Sequence, residues 1–178
     1  MTPDKEENPF LSLFGNFSQA GKVTWIGNRP KSGVPMDSLS EVLVEKNGLK
    51  GDRANKTSAT GKRQVTLIQK EHIAAVASFL GLTEIDPALL RRNIVVSGIN
   101  LNSLKNQKFK IGTATLEMTG FCYPCSKMEK NLGYGGFNAM RGHGGITCRV
   151  IEEGIIKIND QISILNQTEN PQQSLFSK

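Results

Sequence analysis

The stretch FKIGTATLEMTGFCYPCSKMEKNL, residues 109–132, places a backbone pattern and a candidate chemistry side by side. FKIG (109–112) and TATLEMT (113–119) are two short apolar, β-leaning runs separated by a tight turn at Gly112-Thr113, which reads as a hairpin of a β wall. The chain then passes through two cysteines three residues apart, Cys122 and Cys125. It continues into SKMEKNL, whose composition is helical, so Cys125 falls at or just before a helix N-terminus.

Outward from this hairpin, the remaining apolar runs have the same character. KVTWIG (22–27), EVLVEK (41–46), QVTLI (64–68), NIVVSG (93–98), ITCRVIE (146–152), IIKI (155–158) and QISIL (161–165) are each strand-length and bounded by Gly, Asn, Asp or Pro. Many short strands with little helix between them predict a mainly β protein, a closed or partly closed β-barrel with a few short helices. The last two runs, joined at Asn159-Asp160, are expected to form a second hairpin of the wall. KEHIAAVASFLG (70–81) breaks the pattern: Ile73, Val76, Ala77 and Leu80 share one helical face, and Gly81 ends it. DPALLRRN (86–93) predicts a shorter helical turn with Asp86 as N-cap and Pro87 at the first helical position.

The whole chain has 178 residues, which suits one domain. Residues 1–20 read as an N-terminal extension, 21–165 as the domain proper, and the polar, proline-containing 166–178 as a flexible tail. Hydrophobic residues make up 38% and charged residues 21%, enough for a core and too polar for a membrane protein. Apolar runs such as Ile73 to Leu82 fall well short of the ~20 residues of a spanning helix. The start MTPDKEENPF lacks the pattern of a secretion signal, and three cysteines cannot all pair, so the expected setting is the reducing cytoplasm with free thiols.

A formal charge of +6 favours an anionic partner. No basic run is interleaved with Phe or Tyr as a base-stacking platform requires, which speaks against nucleic acid. Three cationic segments stand out: Gly51-Asp52-Arg53, a tight turn before a polar loop; Arg91-Arg92-Asn93-Ile94, at the mouth of a strand; and Arg141-Gly142-His143-Gly144-Gly145, joining GFNAM to a strand. Arg53, Arg92, Asn93, Arg141 and His143 are thus candidates for holding a phosphorylated ligand, with glycines letting backbone N–H groups come close.

A thiol at a helix start is favoured as thiolate, which can ligate a soft metal or carry sulfur. Other readings of the pair stay open. The cysteines can be packing residues in a strand-to-helix turn. A C-x-x-C redox motif normally follows the first strand of a βαβ unit, whereas this one lies late in the chain. A zinc site from Cys122, Cys125, His143 and Cys148 has suitable ligand types, but Cys148 lies within a strand pattern that turns it to the core. His72 reads as an exposed or cap-region helix residue. No Ser-His-Asp set, Walker loop or dinucleotide fingerprint is present, so hydrolase and nucleotidase readings lack support.

Taken in order, GLKGDR (48–53), RQVTLIQKEHI (63–73), RRNIVVSGINLNSL (91–104), FKIGTATLEMTGFCYPCSKME (109–129) and GHGGITCRVIEEGIIKINDQI (142–162) resemble the molybdenum cofactor sulfurase C-terminal family, MOSC, in its short stand-alone bacterial form. The resemblance implies a β-barrel-rich domain that binds the molybdenum cofactor, molybdopterin, a phosphorylated pterin whose dithiolene holds the metal. It maps the family's metal ligand or sulfur carrier onto Cys125, and a cofactor-pocket segment onto Arg92 and Asn93. The expected activity is two-electron reduction of N-hydroxylated small molecules with Cys125 on molybdenum. The alternative is a sulfur carrier in which Cys125 holds a persulfide, with a cysteine desulfurase or a reductase as partner. Two departures stand out. Ala54 and Asn55 occupy the place of a histidine that often follows the Gly-Asp-Arg turn, and the pyridoxal-phosphate domain of full sulfurases is missing.

Overall fold

The structure, a computed structural model, describes Leu13 and residues 15–56, 60–105 and 107–165. Most of the expected extension and all of the expected tail lie outside the described residues.

Seven strands close into a barrel. The wall runs from β1 (Gly21–Asn28) through β11 (Gln161–Ile164), β7 (Lys108–Ile111), β8 (Ala114–Phe121), β9 (Ile146–Glu152), β5 (Val65–Gln69) and β6 (Ile94–Ser97) back to β1. The short strand β2 (Asp37–Leu39) hangs on β1. A separate three-stranded sheet contains β3 (Glu41–Glu45), β4 (Gly48–Leu49) and β10 (Gly154–Lys157), with β3 in the middle. Closure leaves the barrel strands without a free edge.

The expected hairpin at Gly112-Thr113 forms with Ile111 opposite Ala114. The expected hairpin at Asn159-Asp160 does not. β10 pairs with β3, while β11 pairs with β7 and β1. Asn159 takes a left-handed conformation, and Asp160 accepts a hydrogen bond from the Lys157 N–H at 2.7 Å, so a tight turn is present. Its two arms serve different sheets because Ile158 N–H bonds Ser40 while Asn159 N–H bonds Val23. Local turn chemistry bends the chain, and tertiary pairing decides where the arms go.

β5 and β6 are the one parallel neighbour pair in the barrel, and a parallel pair needs a crossover. Helices α1 (Lys70–Phe79) and α2 (Pro87–Leu90) supply it. Both strands are buried on two faces, which explains their continuous apolar sequence. Leu67, Ile94 and Val96 point into the barrel, whereas Ile68 and Val95 point outward against Ile73, Val76 and Ala77 of α1. Asp86 caps α2 through the Ala88 N–H at 2.9 Å, and Arg91 leaves that helix in a left-handed conformation, delivering Arg92 and Asn93 to the start of β6. Among the described residues no helix is long and apolar enough to cross a membrane.

Candidate functional site

β8 carries a register shift between Met118 and Gly120, a bulge that re-aims the strand end as it leaves the wall. The Cys122 N–H then bonds the Gly145 carbonyl at 2.8 Å, and the chain runs through Tyr123 and Pro124 to Cys125, the N-cap of α3 (Ser126–Leu132). Met128, buried beneath α3, anchors that helix, while Glu129 accepts N–H bonds from Gly135 and Phe137 at 2.8 Å each. Those two bonds tie α3 to α4 (Gly136–Ala139) and hold the Glu129 carboxyl below its usual range. All three thiols are free: Cys125 is exposed, and Cys122 and Cys148 are buried. Burial, and then the nearby Cys122, push the Cys148 thiol far above its usual range.

Arg92 hydrogen-bonds this turn directly. Only 6% exposed, it donates from Nε to Gly144 O at 2.7 Å, from Nη1 to Leu90 O at 2.8 Å and from Nη2 to Cys122 O at 3.3 Å. Its neighbours are carbonyl dipoles rather than a carboxylate, so its charge is not neutralised by an ion pair among the described residues. Burial depresses its pKa, Cys122 and Cys125 act in the opposite direction, and the like charges of Arg29 and Arg63 add to the depression. A buried, unneutralised guanidinium therefore stands within electrostatic reach of both cysteines. Gly144 is required at this junction, because a Cβ there would collide with the Cys122 carbonyl.

Asn93, fully buried, is saturated within the protein. Its Oδ1 accepts from Arg29 Nη2 at 3.0 Å and from Thr66 Oγ1 at 2.8 Å, and its Nδ2 donates to Asp52 Oδ2 at 2.8 Å. Asp52 also receives Arg29 Nε and Nη2 at 2.9 Å each and the Ala54 N–H at 2.8 Å. Burial alone raises the Asp52 carboxyl, but the Arg29 and backbone bonds outweigh it and leave it below its usual range. Arg53 begins a 3-10 turn, Arg53–Lys56, and is exposed. With Arg29 it lies close enough to depress the Arg91 pKa, after burial as the larger cause. Arg29, Arg53 and Arg91 thus form a second cationic cluster, with Arg29 also acting on Arg92.

The surface around the turn is a branched groove with Tyr123 common to its parts. One branch, about 240 Å³, is lined by Cys122, Pro124, Gly142, Gly144 and Gly145, and a wider one adds Asn138 and Arg141. A third, about 580 Å³, has Lys62, Arg63 and Lys105 on its walls. Cys125, exposed, is the next residue after Pro124, which lines the first two branches.

His143 takes a different direction from the one its loop suggests. Its ring packs against His72 of α1, with centroids 4.9 Å apart and planes at 88°, and against Phe79 at 5.3 Å. Nδ1 of each histidine is buried with no hydrogen-bond partner among the described residues. His72 is therefore half-buried rather than an exposed cap residue, and burial, then His143, hold its imidazole below the usual value against the pull of Glu71. The four-residue zinc set is not assembled: Cys148 faces the barrel core, and among the described residues no group of three or more His, Cys, Asp or Glu could hold a metal.

The structure thus brings Cys125, Arg92 and, on the wider branch, Arg141 to one face. Asn93 lies behind them in a satisfied network, Arg53 belongs to the second cluster, and His143 turns to α1. Arg29, Arg63, Lys62, Lys105 and Tyr123 were not singled out from sequence. The structure buries Asp52 within its Gly-Asp-Arg turn, and that buried carboxylate accounts for Arg29 beside it, since it needs a cation.

The closed barrel thus presents an exposed cysteine at a helix start, with a buried arginine bonded to the same turn. The family model described as the MOSC domain matches residues 49–163, more than half of the chain, and the chain belongs to that family. The family is associated with binding of the molybdenum cofactor. Among solved structures, the chain is similar to YuaD from Bacillus subtilis, with 20% identity and a TM-score of 0.70 over 82% of this chain and 96% of that one. It is also similar to YiiM from Geobacillus stearothermophilus (18% identity, TM-score 0.67, 82% of this chain and 75% of that one) and to YiiM from Escherichia coli (17%, 0.63, 84% and 72%). At such identities these likenesses concern the fold. No curated protein matches the chain.

Proposed function

We propose that the chain binds the molybdenum cofactor with Cys125 as a protein ligand to the metal, and that the loaded protein reduces N-hydroxylated small molecules. The observation that carries this reading is Arg92: a buried guanidinium without a carboxylate partner among the described residues, bonded to the Cys122 carbonyl of the cysteine turn and to the carbonyls of Leu90 and Gly144. The residues present fit such a group. An exposed thiol is a soft donor suited to molybdenum. Arg141 and the glycine-rich backbone at Gly142, Gly144 and Gly145 offer cationic and close-approach surface for a phosphorylated pterin.

When bound, the cofactor supplies the two-electron chemistry. The protein's part is to hold the thiol at the rim, to fix the turn through Arg92, and to stabilise negative charge there through that guanidinium. Molybdenum content of protein purified from molybdate-fed cells tests this. Near-stoichiometric metal in the wild type and its loss in Cys125→Ala are expected; equal metal in both overturns Cys125 as the ligand.

The exposure of Cys125 favours a second reading, in which it carries a persulfide for delivery to a metallo-enzyme, because an exposed thiol is open to a desulfurase. Non-reducing mass spectrometry after incubation with a cysteine desulfurase distinguishes the two: a dithiothreitol-labile sulfur adduct on Cys125 supports carriage, and an unmodified thiol supports metal ligation.

A further inference from the structure

The third branch of the groove has a composition that the cysteine chemistry does not explain. Lys62 and Arg63 come from the connection before β5, Lys105 follows the 3-10 turn Leu101–Leu104, and all three are exposed on the walls of a 580 Å³ hollow. None is ion-paired among the described residues. The floor is β8 and β9, with Thr119 and Thr147 providing hydroxyls. Thr119 Oγ1 bonds the Lys62 carbonyl and the Thr147 carbonyl, the latter at 3.0 Å, which fastens the cationic connection to the strand end. At the mouth stand two exposed rings, Phe121 (41% exposed) and Tyr123 (74%), with centroids 6.4 Å apart.

Large exposed aromatics cost apolar hydration unless a ligand or partner covers them. Three unpaired cations beside them call for an anion. A ligand that answers both has a planar face and a phosphate a few ångströms apart, which is the build of a nucleoside phosphate: the base stacks on an aromatic ring, and the phosphate meets lysine and arginine. The hollow's volume falls in the range of small-molecule sites and suits one nucleotide rather than a strand.

We propose that this branch, bounded by Lys62, Arg63, Lys105, Phe121 and Tyr123, is a binding site for a mononucleotide unit. Because Tyr123 also lines the branches beside the cysteine turn, the site adjoins the one assigned to the cofactor. If that assignment holds, this neighbour accommodates the nucleotide half of a dinucleotide form of the pterin. The nucleotide site itself rests on the groove alone and is read without molybdenum.

The test is calorimetric titration of molybdenum-free protein with GMP, CMP and AMP, against ribose 5-phosphate and inorganic phosphate, at low and high salt. At least one mononucleotide is expected to bind about tenfold or more tightly than ribose 5-phosphate, with Tyr123→Leu removing most of that margin. The double variant Lys62→Gln, Arg63→Gln should weaken binding and flatten its salt dependence. Both positions are exposed, so folding is not at stake. Absence of nucleotide binding overturns the proposal, as does ribose 5-phosphate binding as tightly as the nucleotides, which would mark a mere anion site. Affinity that climbs with every residue added to a single-stranded oligonucleotide also overturns it, in favour of a polymer surface. In each of these cases the metal assay on Cys125 keeps its own outcome.

Discussion

Arg92 Nε donates to the Gly144 carbonyl at 2.7 Å, fastening the start of β6 to a glycine loop 52 residues further along. The same guanidinium holds the Cys122 carbonyl, so one side chain fixes both the loop and the cysteine turn. Burying a charge in this way is costly, and its use here is positional: three carbonyls from three segments converge on one planar fork.

Arg92→Met is therefore expected to lower stability by about 2–4 kcal/mol, because the relief of removing a buried charge does not make up for three carbonyls left without partners. Arg92→Lys should lose much of the same stability, since an ammonium cannot match the fork. Urea denaturation measures both. Arg141→Gln, on the exposed rim, should stay within about 0.5 kcal/mol of wild type.

The Asp52 network gives a dependence on acid. Its folded carboxyl lies below the ordinary value of 3.8, so in acid the unfolded chain takes up its proton first. The stability this pair contributes is complete above about pH 4 and declines as pH falls below it. Asp52→Asn should flatten that acid limb. At neutral pH the same change should cost about 3 kcal/mol, because it strands the Arg29 guanidinium. Melting temperatures between pH 2.5 and 7 check both effects, and an unchanged acid limb in the variant would refute the assignment.

His72 acts in a higher window. Its imidazole is held below the ordinary value of 6.5 by burial and then by His143, while Glu71 opposes them weakly. The folded protein favours the neutral ring, so stability is complete above that value and declines as pH falls through it toward the depressed folded value. His72→Phe keeps a ring against His143 and should remove this slope below about pH 6.5. A slope that survives the substitution would place its origin elsewhere.

The barrel was legible because its strands carry their own signal: β-branched runs are bounded by residues such as Asn93, Gly112 and Asn159, and the mainly apolar runs of β5 and β6 match burial on both faces. The shortest strands were not, since Asp37–Leu39 and Gly48–Leu49 exist only through what β1 and β3 offer them. The divergence of β10 and β11 is likewise a tertiary choice beyond a locally correct turn at Asn159. At the site, Cys125 was legible as a helix N-cap. Arg92 stood out in the sequence as a candidate but not as a carbonyl clamp, because two of its acceptors lie 30 and 52 residues away. Sequence also showed no basic run beside aromatics, for the simple reason that Lys62, Lys105 and Tyr123 meet only after folding.

The thiols offer the most direct reading of which sulfur is presented to ligands. The chain has three cysteines, of which Cys125 alone is exposed. Cys148 sits in the barrel core, where burial suppresses its ionisation, and Cys122 is enclosed beneath the carbonyl clamp of Arg92. An aromatic disulfide reagent should therefore label one thiol per chain quickly under native conditions, and the other two only when guanidinium opens the barrel. In Cys125→Ala the fast phase should vanish while stability stays within about 0.5 kcal/mol, since the exposed thiol makes no capping bond. A fast phase that persists in that variant would mean the turn opens to present Cys122, and the metal-ligand assignment would move with it. On the proposed ligation, the fast phase should also be blocked in metal-loaded protein, because a sulfur bonded to molybdenum is no longer a free nucleophile.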